Sequence, residues 1–139
     1  MMEILFKGQR VDTKEWVYGW YFESFTGIAY IIVMHDHILG VTEFYEVIKE
    51  TVGQFTGLLD KNGERVFEGD IISARTLQKW DNCKASYHNQ YGVIVYNPEK
   101  TRFESSVSFG ERQKDLYNTI TKLGAEVIGN IHQNKELLV

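Results

Sequence analysis

Aromatic residues recur with a two-residue period near the start of the chain. In residues 15–22, Trp16, Tyr18, Trp20 and Phe22 recur at every second position. Successive side chains of a strand point to opposite faces of a sheet, so this spacing predicts a strand with one aromatic face.

The next apolar run has no polar positions at all. Residues 28–34 read Ile-Ala-Tyr-Ile-Ile-Val-Met and follow a turn signal at Thr26 and Gly27. A strand that is apolar on both faces needs cover on both sides, and in a small protein a second subunit can supply one of them. Tyr30, Ile31 and Val33 are therefore the candidate self-association residues. A third strand is predicted at residues 41–48.

The middle of the chain contains several glycines, each beside a short apolar or aromatic run. The turn sequence at residues 60–63 predicts a hairpin between strands at 54–59 and 64–73. Glycine permits positive φ and close backbone approach, so the pattern describes strands, sharp bends and a small barrel. The candidate structural motif consists of Gly53, Gly57, Gly63, Gly69, Asp70, Gly129 and Asn130.

The remaining third of the chain mixes strands with one helix. Residues 92–96 and 102–109 predict a second hairpin across a type I turn containing Pro98. Leu116, Ile120 and Leu123 have helical spacing within residues 111–123, and Gly124 is a C-terminal stop signal. Residues 125–131 predict a closing strand, and the tail at 136–139 is expected to dock.

Composition indicates a folded protein with its own core. The 139 residues are 43% hydrophobic and 14% aromatic, with a single proline, which favours strands over disorder. One cysteine, Cys83, cannot form an internal disulfide, and neither a signal peptide nor a membrane-spanning run is visible. We therefore expect a cytoplasmic protein without a membrane partner. The net charge of −4 disfavours indiscriminate binding to nucleic acid.

Motifs spread along nearly the whole chain resemble the YopX family of bacteriophage and prophage proteins. The matching segments are residues 3–8 and 15–19, the central block at 50–58, 60–63 and 68–72, and the end at 126–131 and 134–138. The resemblance implies a mostly β protein with an SH3-like barrel in its C-terminal part, an oligomer, and a setting inside a bacterial host cell. The resemblance supplies no established catalytic activity that could be carried over to this chain.

The expected fold is therefore mainly β. N-terminal antiparallel strands, residues 1–52, are expected to serve oligomerisation. Residues 53–139 are expected to form an SH3-like β-barrel with one short helix. Residues 76–91 are polar and aromatic without a clear period, and they are interpreted as an excursion from this barrel.

Three patterns resemble chemical sites, and each has a simpler structural explanation. His35 and His37 have the spacing of a shared metal site, but they lack spaced partner ligands, so a polar turn after the apolar strand is the favoured interpretation. The oxygen-rich turn at 60–64 begins like a calcium loop but lacks its closing glutamate. Glu68 and Asp70 would share a strand face as an acid/base pair, or Asp70 accepts backbone hydrogen bonds at a bend. No metal, cofactor or catalytic residue is predicted.

A basic and aromatic surface at residues 75–102 is the candidate for nucleic acid. Five basic residues in this range accompany two acidic ones, and aromatic residues lie between them. Small barrels bind single strands by stacking bases on aromatic side chains along a basic groove. The alternative is a solvated face with ordinary strand aromatics, which the acidic chain favours. The candidate residues are Arg75, Lys79, Trp80, Lys84, Lys100 and Arg102.

These patterns favour a non-enzymatic phage accessory protein that self-associates and acts by binding. Its expected partners are a second copy of itself and a host or phage protein. Nucleic-acid binding through residues 75–102 is the alternative from another class, and an uncharacterised enzyme has the least support.

Overall fold

The computed structural model of this chain describes residues 4–34, 42–79, 85–109 and 113–138. Over these residues the protein is mainly β, with one α-helix, and both of its sheets are antiparallel. The strands are β1 Phe6–Gln9, β2 Trp16–Glu23, β3 Ala29–Met34, β4 Thr42–Glu46, β5 Gly53–Leu59, β6 Arg65–Phe67, β7 Asp70–Lys79, β8 Ala85–Asn97, β9 Arg102–Phe109, β10 Gln113–Asp115 and β11 Glu126–Asn130.

The chain divides into two compact units, Met1–Gly57 and Leu58–Val139. The first sheet has the strand order β4-β3-β2-β1-β5-β6, and the second has the order β10-β9-β8-β7-β11. Two short 3-10 helices accompany the strands, Lys49–Thr51 in the first unit and Lys135–Leu138 in the second. None of the helices in the described part of the chain is long and apolar enough to cross a bilayer.

The first unit has a small core on one face of its sheet. Ala29, Ile31 and Val47 are buried there. The two-residue period of β3 sends Ile31 into this core and Ile32 to the opposite face. Partly buried side chains complete the cluster, namely Phe6, Val17, Tyr21, Val33 and Val52.

Gly19 allows β2 and β3 to approach closely within this sheet. A Cβ atom at this position would lie 2.1 Å from the backbone carbonyl oxygen of Ile32. No relaxed structure holds two such atoms so close, so a side chain here would force the strands apart.

The second unit is organised around the long pair β7 and β8. Their register runs from Ile71 opposite Val93 to Lys79 opposite Ala85, and β11 pairs with β7 on its other side. The helix α1, Leu116–Leu123, contributes Leu116 and Ile120 to the core. The other buried members of this cluster are Val66, Ile72, Ala74, Ile94 and Ala125.

A helix that ends before Gly124 is confirmed, but it begins at Leu116, because residues 113–115 of the predicted segment form β10 and residues 111–112 lie outside the described part of the chain. Leu116 and Ile120 are four residues apart and both buried. Gly124 follows with φ of 64°, and its N–H donates to the carbonyl oxygens of Ile120 and Thr119. A left-handed glycine after the last helical residue is a common way to satisfy the final carbonyls.

The expected SH3-like barrel is not confirmed. Over the described residues the strands form two open sheets, and the outer strands β10 and β11 of the second sheet do not pair with each other. Residues 76–79 and 85–91, assigned above to an excursion, extend β7 and β8, while residues 80–84 lie outside the described part of the chain. Backbone hydrogen bonds hold these strands together, although their side chains show no two-residue period.

The hairpin at residues 60–63 is present, and the strand predicted after it is interrupted. A bend at Glu68 and Gly69 separates β6 from β7. Gly69 has φ of 91°, its N–H donates to the carbonyl oxygen of Ile94 at 2.9 Å, and its own carbonyl accepts the N–H of Ile131 at 3.0 Å. The buried Asp70 accepts the N–H of Phe67 at 2.9 Å.

We expect Gly69→Val to lower the free energy of unfolding by about 2 kcal/mol or more, because a β-branched residue is strained at positive φ. The nearest side chain would be 3.7 Å from the new Cβ, so backbone strain rather than a clash causes the loss.

Asp70→Ala should cost about 1 kcal/mol or more by leaving a buried N–H without its acceptor. Urea or thermal unfolding measures both, with Lys100→Val in an exposed turn as control. Unchanged stability of Gly69→Val would show that this bend tolerates a side chain.

Candidate functional site

A group of apolar side chains shares the outward face of β2, β3 and β4 in the first unit. Trp20 lies opposite Ile32, and Ile32 lies opposite Phe44 on the next strand. Phe22 lies opposite Tyr30, with 6.3 Å between their ring centres. We name this surface the aromatic face, and it consists of Tyr18, Trp20, Phe22, Tyr30, Ile32 and Phe44.

Much of the aromatic face is open to solvent. The exposed fractions are 47% for Tyr18, 57% for Trp20, 50% for Phe22 and 64% for Phe44. Single exposed apolar residues are common on proteins, but a contiguous group of large ones normally marks an interaction site. The two-residue period predicted for β2 is confirmed, and its aromatic positions point outward rather than into the core.

The aromatic face has little charge of its own. Among its described strand positions, Lys7 lies opposite Tyr18, with its ammonium 4.8 Å from the ring centre of Trp16, and Glu46 lies opposite Tyr30. Lys7 is almost fully buried, so its stem packs on the sheet.

Two acidic groups elsewhere in the first unit, Asp12 and Glu23, are held by basic partners. Arg10 pairs with Asp12 at 2.8 Å, and Lys49 pairs with Glu23 at 2.9 Å. The hydrogen bonds from Arg10 and Lys49 lower the pKa of the Asp12 and Glu23 carboxyls below their ordinary values. Each pair is exposed and is therefore a weak contributor to stability.

The candidate self-association residues fall on different sides of this sheet. Ile31 is fully buried in the core of the first unit, and Val33 packs against that core. Tyr30 lies on the aromatic face. Phe44 was not predicted as a site residue because Glu43 and Glu46 interrupt the apolar pattern of this segment. Its position beside Ile32 follows only from the strand register.

The first unit exposes two further apolar features. Phe25 sits in the turn between β2 and β3 and is fully exposed. A surface depression of about 370 Å³ is lined by Ile4, Phe6, Trp20 and Tyr21. The apolar surface of the first unit thus extends beyond the three central strands.

The basic and aromatic surface of the second unit is only partly assembled by the described residues. Arg75 is exposed, and its guanidinium lies 5.0 Å from the ring centre of Tyr87, a cation–π contact. Tyr91 is exposed on β8, the strand that also carries Tyr87, and Lys100 lies in the turn between β8 and β9. Lys79 ends β7, whereas Trp80 and Lys84 lie outside the described residues.

Arg102 is engaged within the protein. Its guanidinium contacts the Glu104 carboxylate at 2.6 Å and lies 4.0 Å from that of Asp115. The Glu104 side chain is only 10% exposed, and Asn97 also donates to it at 2.9 Å. Arg102 is therefore a poor candidate for binding phosphate.

The other chemical patterns contribute no site in the described part of the chain. His35, Asp36, His37 and Cys83 lie outside it. Within it, no three His, Cys, Asp or Glu residues come together as metal ligands. Asp60 is committed to backbone hydrogen bonds in its hairpin turn, and Asp70 has the same role at its bend.

Comparison with known proteins identifies the family. The family model described as YopX protein matches residues 6–139, so the chain belongs to the YopX family, as its motifs indicated. No curated protein matches this chain closely enough to count as a relative. The crystal structure of protein EF1440 from Enterococcus faecalis is similar, with a TM-score of 0.58, 25% identity and 100% coverage of both chains.

The Glu104 cluster predicts a pH dependence of stability. Hydrogen bonds from Asn97 and Arg102 lower the pKa of the Glu104 carboxyl below its ordinary value of 4.5. A carboxyl with a lowered folded-state pKa stabilises the protein above its unfolded pKa, and this contribution is lost as pH falls through the folded value. The stability difference between the wild type and Glu104→Gln should therefore shrink as pH falls below about 4.5.

Urea unfolding from pH 7 to pH 3 tests this expectation. Arg102→Gln should raise the pKa of the Glu104 carboxyl toward its ordinary value, which an NMR titration measures directly. Glu99→Gln, in the exposed turn nearby, is the control. A wild-type to Glu104→Gln difference that stays constant over this pH range would contradict the assignment.

Proposed function

We propose that the protein is a non-enzymatic accessory protein of a bacteriophage or prophage, which self-associates and acts by binding in the bacterial cytoplasm. Its partners are further copies of the chain and a host or phage protein. The phage or prophage setting rests on the family to which the chain belongs.

The exposed apolar surface of the first unit is the observation that carries this proposal. Trp20 and Phe44 are more than half exposed although each could be replaced by a polar strand residue without loss of core packing. Contiguous apolar surface is unfavourable in water and becomes favourable when a partner covers it. Binding is therefore the function that this surface supports best.

The first experiment measures the mass of the protein in solution. We expect light scattering after size exclusion to give a mass above the 16.2 kDa of one chain at micromolar concentration, and to show dissociation on dilution. A strict monomer over the whole concentration range would contradict self-association. Ile31→Glu is unsuitable as a test, because Ile31 is buried in the core and a charge there would unfold the unit.

The stacked pair of Arg75 and Tyr87 favours a second candidate function, the binding of single-stranded nucleic acid. An arginine held over an exposed aromatic ring offers a charge for phosphate and a flat surface for a base. Tyr91, further along β8, would extend this platform. The net negative charge of the chain opposes this function. The ion pair between Arg102 and Glu104 also removes one of the positive charges that could contact phosphate.

Fluorescence anisotropy with labelled single-stranded DNA and RNA tests the second candidate. Binding should fall with increasing salt, by roughly 0.7 power of the salt concentration for each phosphate contacted. Arg75→Ala should weaken it, whereas Lys122→Ala, an exposed basic residue on α1, should not. The absence of binding at low salt and high protein concentration would end this candidate.

A further inference from the structure

We propose that the aromatic face is the surface through which two copies of this chain associate, each copy presenting the same face to the other. This inference rests on the proposed self-association and names its interface. It replaces the buried Ile31 with the outward positions Trp20 and Phe44 as the central contact residues.

The exposed area suits a protein–protein interface. A Phe, Tyr or Trp side chain carries about 150–250 Å² of surface, so four that are about half exposed present roughly 400 Å². Phe25, which is fully exposed in the adjoining turn, adds about 200 Å². A standard interface buries about 800 Å² on each partner, so this patch, with the smaller exposed parts of Tyr30 and Ile32, has the size of a weak, reversible interface of about 600 Å² on each partner.

Charge favours a second copy as the occupant. An interface between identical faces succeeds only if the face does not repel itself. Among the described strand positions that border the aromatic face, Lys7 and Glu46 carry one positive and one negative charge, which offset each other although the chain as a whole is acidic. A strongly basic partner would find little to pair with on this face, whereas a copy of it meets a neutral, apolar surface.

The arrangement of the strands also suits this occupant. Trp20, Ile32 and Phe44 form one row across three neighbouring antiparallel strands. Sheets pack face to face about 10 Å apart by interdigitating such side chains, and aromatic residues are the usual anchors of an interface. The core of the unit lies on the opposite face, so two copies can pack without rearranging Ile31 or Ala29.

The test compares substitutions of matched exposure on β-strands of the two units. Trp20→Thr and Phe44→Thr remove the anchors and keep a residue suited to strands. Tyr87→Thr is the control, since Tyr87 is 59% exposed and lies on β8 of the second unit. Sedimentation velocity over a concentration series gives the dissociation constant of each variant, and circular dichroism checks that each is folded.

We expect Trp20→Thr and Phe44→Thr each to weaken association by about tenfold or more, and Tyr87→Thr to leave it unchanged. An oligomer that both variants leave intact would overturn this interface while the proposed self-association stands. Weakening by Tyr87→Thr alone would place the interface in the second unit and equally overturn it. A monomeric wild type would defeat the proposed self-association itself. If a variant is unfolded, Trp20→Tyr, which keeps an aromatic ring, should associate more strongly than Trp20→Gln, and equal association of the two would contradict the inference.

Discussion

The carboxylate of Asp60 joins parts of the second unit that are far apart in sequence. One oxygen accepts the N–H groups of Asn62 and Glu64, and the other accepts that of Val127 at 2.9 Å. A buried carboxylate is costly unless it is hydrogen-bonded, and three backbone donors offset that cost. This one group therefore links the turn after β5 to the strand β11, which in turn pairs with β7.

Buried polar side chains repeat this role elsewhere in the second unit. Asp70 holds the bend before β7, and Asn130, its partner in the register, accepts the N–H groups of His132 and Gln133. Residues that resemble acid/base chemistry in sequence thus stabilise turns. The second unit also exposes large apolar side chains such as Tyr87 and Tyr91, but those of the first unit form a contiguous row across three neighbouring strands. The difference directs the search for function to the first unit.

Local signals made much of the fold predictable. Two-residue periodicity located β2, turn chemistry located the hairpin at 60–63, and helical spacing with Gly124 located α1. Pairing between strands that are distant in sequence could not be predicted. For this reason β1 and the strand residues 76–79 and 85–91 were not predicted, and the predicted barrel was not confirmed. The apolar run at 28–34 predicted a strand that is apolar on both faces, but it could not show that Ile31 faces the core and Ile32 the opposite, outward face.

The aromatic face is hard to explain as a requirement of folding. Threonine at positions 18, 20, 22 and 44 would also suit the strands β2 and β4, because threonine has high strand propensity and remains hydrated. Exposed aromatic strands also carry a risk of aggregation, which proteins usually reduce with charged residues on that face. Here charged residues such as Arg10, Asp12, Glu23 and Lys49 pair with one another, and the row through Trp20 and Phe44 stays apolar. A surface that carries this risk is best explained by the second copy that the proposed association would place over it.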